Sequence, residues 1–194
     1  MRYSIVPQWI RQMKFSFLSG KEQLATRPPL IEIMRGLIGG TLSIFALLLL
    51  GQWSNHLLIM APFGATCVLL YAVPISPLAQ PRNILFGHLI SAFVGLAVLK
   101  LFGVTTWSIA LAVGCAIALM QLLRCVHPPA GANPLVILLT ANTVDYGWSF
   151  LIFPVLTGAV TLISIAWLVN NIRSQKKWPS YALALCQTKT PKGQ

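Results

Sequence analysis

Six long apolar stretches, separated by short turns, leave this chain few folds outside a lipid bilayer. They run from about Ile33 to Leu50, Leu57 to Val73, Ile84 to Leu101, Trp107 to Leu123, Pro128 to Ala141 and Phe150 to Val169. No Asp or Glu falls inside any of them. Backbone in hydrocarbon must satisfy its own hydrogen bonds, so apolar runs of this length read as membrane helices. Only 9% of the 194 residues are charged, against about a quarter in soluble domains, and the mean hydropathy is +0.75. The expected fold is an all-α membrane protein with six transmembrane segments. A 194-residue chain with this much apolar sequence leaves no room for a soluble catalytic module.

Two of the segments are interrupted. Pro62 and Gly64 lie in the second, and His127-Pro-Pro-Ala-Gly-Ala-Asn-Pro134 opens and breaks the fifth. Proline removes a backbone donor and glycine loosens a helix, so neither serves stability in lipid unless neighbours satisfy the freed carbonyls. Pro62, Gly64 and Ala65 align with Pro129, Gly131 and Ala132 at an offset of 67 residues, which also pairs Phe86 with Phe153, Leu89 with Leu156 and Ala92 with Ala159. Two similar halves with matched interruptions follow a common transporter plan. Three spans per half would make the copies inverted, whereas re-entrant interrupted segments would leave two spans per half in parallel.

The basic residues cluster at the ends, with Arg2, Arg11, Lys14, Lys21, Arg27 and Arg35 in front and Arg173, Lys176, Lys177, Lys189 and Lys192 behind, giving a net charge of +11. Both termini are therefore expected in the cytoplasm. Six spans put Arg82 and Arg124 inside, with Lys100 and Asp145 outside. Four spans with re-entrant second and fifth segments reverse Arg82, Arg124 and Lys100, against the charge bias. The organisation follows as a basic tail over 1–30, a transmembrane domain over 31–170 and a basic cytoplasmic tail over 171–194. In the first tail, Ile5, Trp9, Ile10, Met13 and Phe17 suit a membrane-surface helix. The expected location is a bacterial inner membrane, with a plastid envelope as the alternative. Small residues at Gly36 and Gly40, at Gly87, Ser91 and Gly95, and at Ala110, Gly114 and Ala118 are spaced for close helix packing, and a homo-oligomer is expected.

Several functions are excluded on chemistry. No folded module interleaves aromatics with the charges, which argues against nucleic acid. No nucleophile–base–orienter set is visible, so the chain is not expected to be an enzyme. Cys67, Cys115, Cys125 and Cys186 lack paired spacing, and Cys125 with His127 makes a weak metal pair, so no metal or cofactor is expected. Without buried carboxylates, a cation carrier is also disfavoured.

An anion path fits what remains. Helices that begin within the membrane turn unpaired N–H groups toward an anion. Gly64-Ala65-Thr66 and Gly131-Ala132-Asn133 are two such candidate starts, with Thr66 and Asn133 as side-chain donors. Arg82 and Arg124 add positive charge at the cytoplasmic mouth, or snorkel as membrane-edge residues. His127, ahead of two prolines, anchors a turn, donates to an anion or carries a proton. His88 reads as a packed, hydrogen-bonded residue, and His56 has no assigned role.

Three motifs in order carry a family resemblance: Ala61-Pro-Phe-Gly-Ala-Thr66, Ser76-Pro-Leu-Ala-Gln-Pro-Arg-Asn83 with Gly87-His88, and His127-Pro-Pro-Ala-Gly-Ala132. Over about Glu32 to Asn170 the chain closely resembles the HPP family, named for its His-Pro-Pro motif. The resemblance implies an integral membrane protein, often described with four spans. It also implies nitrite transport, to which cyanobacterial and plastid members are linked. It marks Pro62, Gly64, Ala65, Gln80, Pro81, Arg82, Asn83, Gly87, His88, His127, Pro128, Pro129, Gly131 and Ala132. Where the family's first motif is usually serine-rich, this chain has Ala65-Thr66-Cys67. The leading expectation is a transporter or channel for nitrite or a similar small monovalent anion. A structural or assembly subunit and a carrier of a small neutral solute are the alternatives.

Overall fold

The computed structural model describes residues 26–54, 56, 58–174, 177–181 and 183; the expected surface helix around Trp9 lies outside them. Among the described residues the structure is all-α, with six helices: α1 (Leu30–Ser54), α2 (Ala61–Ala72), α3 (Pro81–Phe102), α4 (Thr106–Leu122), α5 (Asn133–Thr140) and α6 (Thr157–Asn171).

Local chemistry sets most boundaries. Pro62 occupies the first turn of α2, where its missing N–H costs nothing, so it starts that helix instead of interrupting it. Pro81 does the same for α3, and Gly103 ends α3 at φ 66°. A reciprocal Thr105/Ser108 cap opens α4. Pro128–Ala132 form a short 3₁₀ turn ahead of α5. Short helical turns over Trp148–Leu151 and Ile152–Leu156 lead into α6, broken at Phe153, which precedes Pro154.

Three stretches are long and apolar enough to cross a bilayer: Leu30–Ser54, Pro81–Phe102 and Trp148–Asn171. The expectation of six full crossings is thus met by length in only three. The 12 residues of α2 reach about 18 Å, short of a hydrocarbon core of about 30 Å. The 8-residue α5 is shorter still, because the prolines before it forbid α-helical hydrogen bonding upstream. The offset of 67 does carry over to the elements. Shifted by 67, α2 falls on 128–139, within the Pro128–Ala132 turn and α5, and α3 falls on 148–169, within Trp148–Asn171.

Helix α3 is central, packing on α4, α5, α6 and the Pro128–Ala132 turn, while α1 packs on α2 and α6. Its small residues act as expected. A Cβ at Gly87 would meet His127 Cβ at 2.7 Å and the Cys125 carbonyl at 3.1 Å, and one at Gly95 would meet Pro134 Cα at 3.0 Å. The other two stripes are corrected. Helix α1 packs through Arg35, Gly39, Ser43 and Leu47, and α4 through Ser108, Ala112, Ala116 and Met120. Among the described residues, and apart from each helix's own backbone, no atom lies within 4 Å of a Cβ built at Gly36, Gly40 or Gly114. These helices carry small residues on adjacent faces, and spacing alone cannot tell which face meets a neighbour.

Candidate functional site

The three motifs converge because the Pro128–Ala132 turn packs on both α2 and α3. At their junction lie Thr66, His88, His127 and Asn133, all with no exposed surface. Thr66 Oγ1 is 2.9 Å from His88 Nε2 and 2.9 Å from His127 Nε2. His127 Nδ1 is 2.8 Å from the Leu78 carbonyl, and Asn133 Nδ2 is 3.1 Å from His88 Nδ1.

With both rings neutral, the two 2.9 Å contacts to the rings give one consistent set of protons, with the Pro62 carbonyl at 3.1 Å a competing acceptor for the Thr66 hydroxyl. A carbonyl only accepts, so His127 carries its hydrogen on Nδ1 and accepts on Nε2. The Thr66 hydroxyl therefore donates to His127. Having spent its one hydrogen, its oxygen accepts from His88 Nε2–H. His88 then accepts on Nδ1 from the Asn133 amide. The result is a directed chain, Asn133 to His88 to Thr66 to His127 to the Leu78 carbonyl. The two rings lie edge-on at 5.0 Å, with Phe63 edge-on to His88 at 5.1 Å.

This geometry revises several expected roles. Thr66 and Asn133 were expected to donate to an anion, yet their donors are spent inside the protein. Asn133 Nδ2 also faces the His88 carbonyl at 3.1 Å and Ser91 Oγ at 2.8 Å. The unpaired atom is Asn133 Oδ1, an acceptor. Both nitrogens of His127 are engaged, Nδ1 with the Leu78 carbonyl and Nε2 with Thr66. Gln80 donates to the Pro74 and Ser76 carbonyls at 2.9 and 3.0 Å, and Asn83 donates to the Val126 carbonyl at 2.8 Å. Pro62 and Pro129 are buried, while Gly64, Ala65 and Pro128 are exposed, and Gly131 and Ala132 are half-buried. Neither Gly64 nor Gly131 has an atom within 4 Å of a built Cβ, so close helix contact does not account for either glycine.

Arg82 is a brace. Its guanidinium donates to the carbonyls of Leu123 at 2.9 Å, Arg124 at 3.3 Å and Leu183 at 2.9 Å. Arg124 is exposed, and its side chain has no partner among the described residues. The two arginines therefore separate in their expected effects. Arg82→Gln should lower thermal stability in detergent, because three carbonyls lose a charged donor at about 1 kcal/mol or more each. Arg124→Gln should leave the melting temperature within a degree or two. Equal melting temperatures for both variants would refute the bracing role.

The sequence reading missed the C-terminal contacts. Ser180 N–H donates to Gln80 Oε1 at 2.8 Å, and the Tyr181 hydroxyl lies 3.1 Å from both the Pro77 carbonyl and Asn83 Oδ1. Burial raises the Tyr181 pKa while nearby Arg82 opposes it, so the phenol stays a donor. Trp178 is buried in the main core. The signal was present as Trp178-Pro-Ser-Tyr181, two aromatics in an otherwise basic tail. Among the described residues no group of three His, Cys, Asp or Glu is placed to hold a metal.

A cavity of about 730 Å³ opens beside the start of α2 and runs along α5 from Ala132 to Thr140 and the loop beyond it. Met60 and Ala61 at the head of α2 and Ala132 at the head of α5 line it, with Tyr146, Phe150 and Phe153. His56, stacked on Phe153 at 4.9 Å, and Asp145 also line it.

Comparison with known proteins agrees with the motifs. A family model described as "HPP, transmembrane region" matches residues 25–179. A transmembrane protein of Dictyostelium discoideum is 33% identical over 175 residues, covering 86% of this chain and 56% of the relative. A second from the same organism is 38% identical over 128 residues, covering 63% of this chain and 45% of the relative. The chain thus spans about half the length of these relatives. No solved structure matches it.

Proposed function

The chain belongs to the HPP transmembrane family, and on that premise we propose that it is a transporter or channel for nitrite or a similar small monovalent anion. One observation carries the reading: both short helices begin at the same cavity. Helix starts present unpaired N–H groups and a positive dipole end, which favour an anion without requiring a buried cation. The buried chain from Asn133 to the Leu78 carbonyl then closes the path between the cavity and the opposite end. No metal, cofactor or catalytic step belongs to this proposal.

The topology proposed with it is six passes in two inverted halves, the second and fifth being half-length helices. Arg82 bonds the Leu183 carbonyl of the C-terminal segment, which supports placing Arg82, Arg124 and that segment on one side, the cytoplasmic one. Lys100, 5.8 Å over the Trp148 ring, marks the other end with Asp145. Outward small residues on α4 suit self-association into a homo-oligomer.

A structural or assembly role is the second reading, favoured by how fully the polar motif side chains are spent on internal bonds. Flux separates the two. Purified protein in liposomes should carry nitrite, and Gly131→Leu, which meets open space in the fold, should abolish flux while leaving a folded protein. Asp145→Asn should raise anion flux by removing the one carboxylate at the cavity. Folded protein that carries no anion, or unchanged flux in both variants, would refute the transport reading.

A further inference from the structure

At the opposite end from that cavity, the start of α1, the Pro74–Ile75 turn, the end of α6 and the Trp178 segment enclose a recess of about 420 Å³. It is built for charge. Arg35, Arg173 and Lys177 line it against a single carboxylate, Glu32, which Arg35 already pairs. Two formal positive charges are left over, on Arg173 and Lys177.

The walls also hold unmet polar groups. Trp178 and Asn170 both line the recess and are 4% and 3% exposed. Trp178 Nε1 and Asn170 Oδ1 have no hydrogen-bond partner among the described residues. The rest of each side chain is fixed. Asn170 Nδ2 donates to the Leu70 carbonyl at 3.0 Å, the Trp178 N–H donates to Asn171 Oδ1 at 3.0 Å, and Asn171 Nδ2 donates to the Trp178 carbonyl at 2.6 Å. A buried donor or acceptor left unpaired costs about 1–3 kcal/mol, so two such atoms beside surplus cations point to an occupant. That occupant brings negative charge for the indole N–H and the cations, and a hydroxyl for the amide oxygen. Both atoms are shut off from solvent, so pairing them takes a small adjustment of the indole or amide toward it.

A second groove, of about 470 Å³, continues from the recess, sharing Glu32 and Pro74 with it. It is mainly apolar and runs along α1 over Gly36 and Gly40, with Val68 and Tyr71 on its other wall. The open space over both glycines is thereby given a use: two missing side chains leave room along α1 for an apolar chain.

We propose that recess and groove together bind one anionic phospholipid whose headgroup bears a hydroxyl, phosphate end against Arg173, Lys177 and Trp178 and one acyl chain over Gly36 and Gly40. The charge is complementary to an anionic leaflet, where juxtamembrane cations gather. The site is separate from the cavity at the heads of α2 and α5, so it stands or falls independently of what the protein transports.

Lipid retention by the purified full chain in detergent, read by native mass spectrometry, tests it. Phosphatidylglycerol should be retained over phosphatidylcholine, and the exposed double variant Arg173→Gln/Lys177→Gln should weaken retention about tenfold or more. Trp178→Phe, which removes only the N–H from the buried indole site, should weaken it less. Gly40→Leu should block the acyl groove while leaving binding of soluble glycerol 3-phosphate unchanged. Equal retention of the two lipids would overturn the proposal. Competition by glycerol 3-phosphate as strong as by whole lipid would make a free phosphate ester the occupant and overturn the lipid assignment. A Gly40→Leu particle that changes in size while keeping its lipid would mean that the groove seats a second copy of the chain.

Discussion

Thr66→Val is expected to cost about 2–6 kcal/mol of stability, because one hydroxyl serves two buried histidines. Removing it strands His88 Nε2–H and His127 Nε2 at once, each 2.9 Å from Thr66 Oγ1 and each without exposed surface, at about 1–3 kcal/mol per buried unpaired group. Valine keeps the shape and removes only the hydrogen bonding. Thr66→Ser should recover most of the loss, since it keeps the hydroxyl. Thermal unfolding in one detergent would compare the three proteins. A valine variant as stable as the parent would mean that the two rings find other partners, and the directed chain described above would be wrong. The same network predicts that His127→Asn also loses stability, since an amide cannot reach both Leu78 and Thr66.

The second large effect belongs to Gly158. A Cβ there would sit 2.3 Å from Phe63 Cε2 and 2.5 Å from Cζ. Phe63 is itself fully buried at the head of α2, so its ring has nowhere easy to go. Gly158→Ala should destabilise by about 1–3 kcal/mol through overpacking. In Gly158→Ala/Phe63→Leu the smaller side chain should return part of that loss. Gly114→Ala is the control, because nothing lies within 4 Å of its added methyl and alanine favours an exposed helix by about 0.5–1 kcal/mol. Opposite shifts in melting temperature are the expected result. A neutral Gly158→Ala would mean that α2 and α6 are not packed as described.

These contacts also show what kind of information the sequence holds. Membrane class, helical fold and element order follow from one-dimensional facts: apolar run length, missing carboxylates, and proline at fixed places. Pro81 and Gly103 bracket α3 because their backbone preferences act locally. The motif residues could be named as a group for the same reason, since proline and glycine recur there at places that apolar helix packing alone does not call for.

What the sequence did not determine is which polar atom meets which. Arg82 taken alone reads as a membrane-edge residue sooner than as a mouth charge, until three carbonyls, from Leu123, Arg124 and Leu183, are seen around it. Asn133 reads as a donor until its donors are found spent on His88 and Ser91. Gly36 and Gly40 read as a helix contact until Gly39 takes that place against the Tyr71 ring. The sequence by itself determined that the chain is an all-α membrane protein of this family and the order of its apolar segments, because propensity and hydropathy act on neighbours along the chain. Only the tertiary structure decided that Thr66, His88 and His127 close one network and that Trp178 and Tyr181 return to the bundle. Those pairings join residues 22 to 104 positions apart, and no periodicity in a single strand of sequence records a partner at that distance.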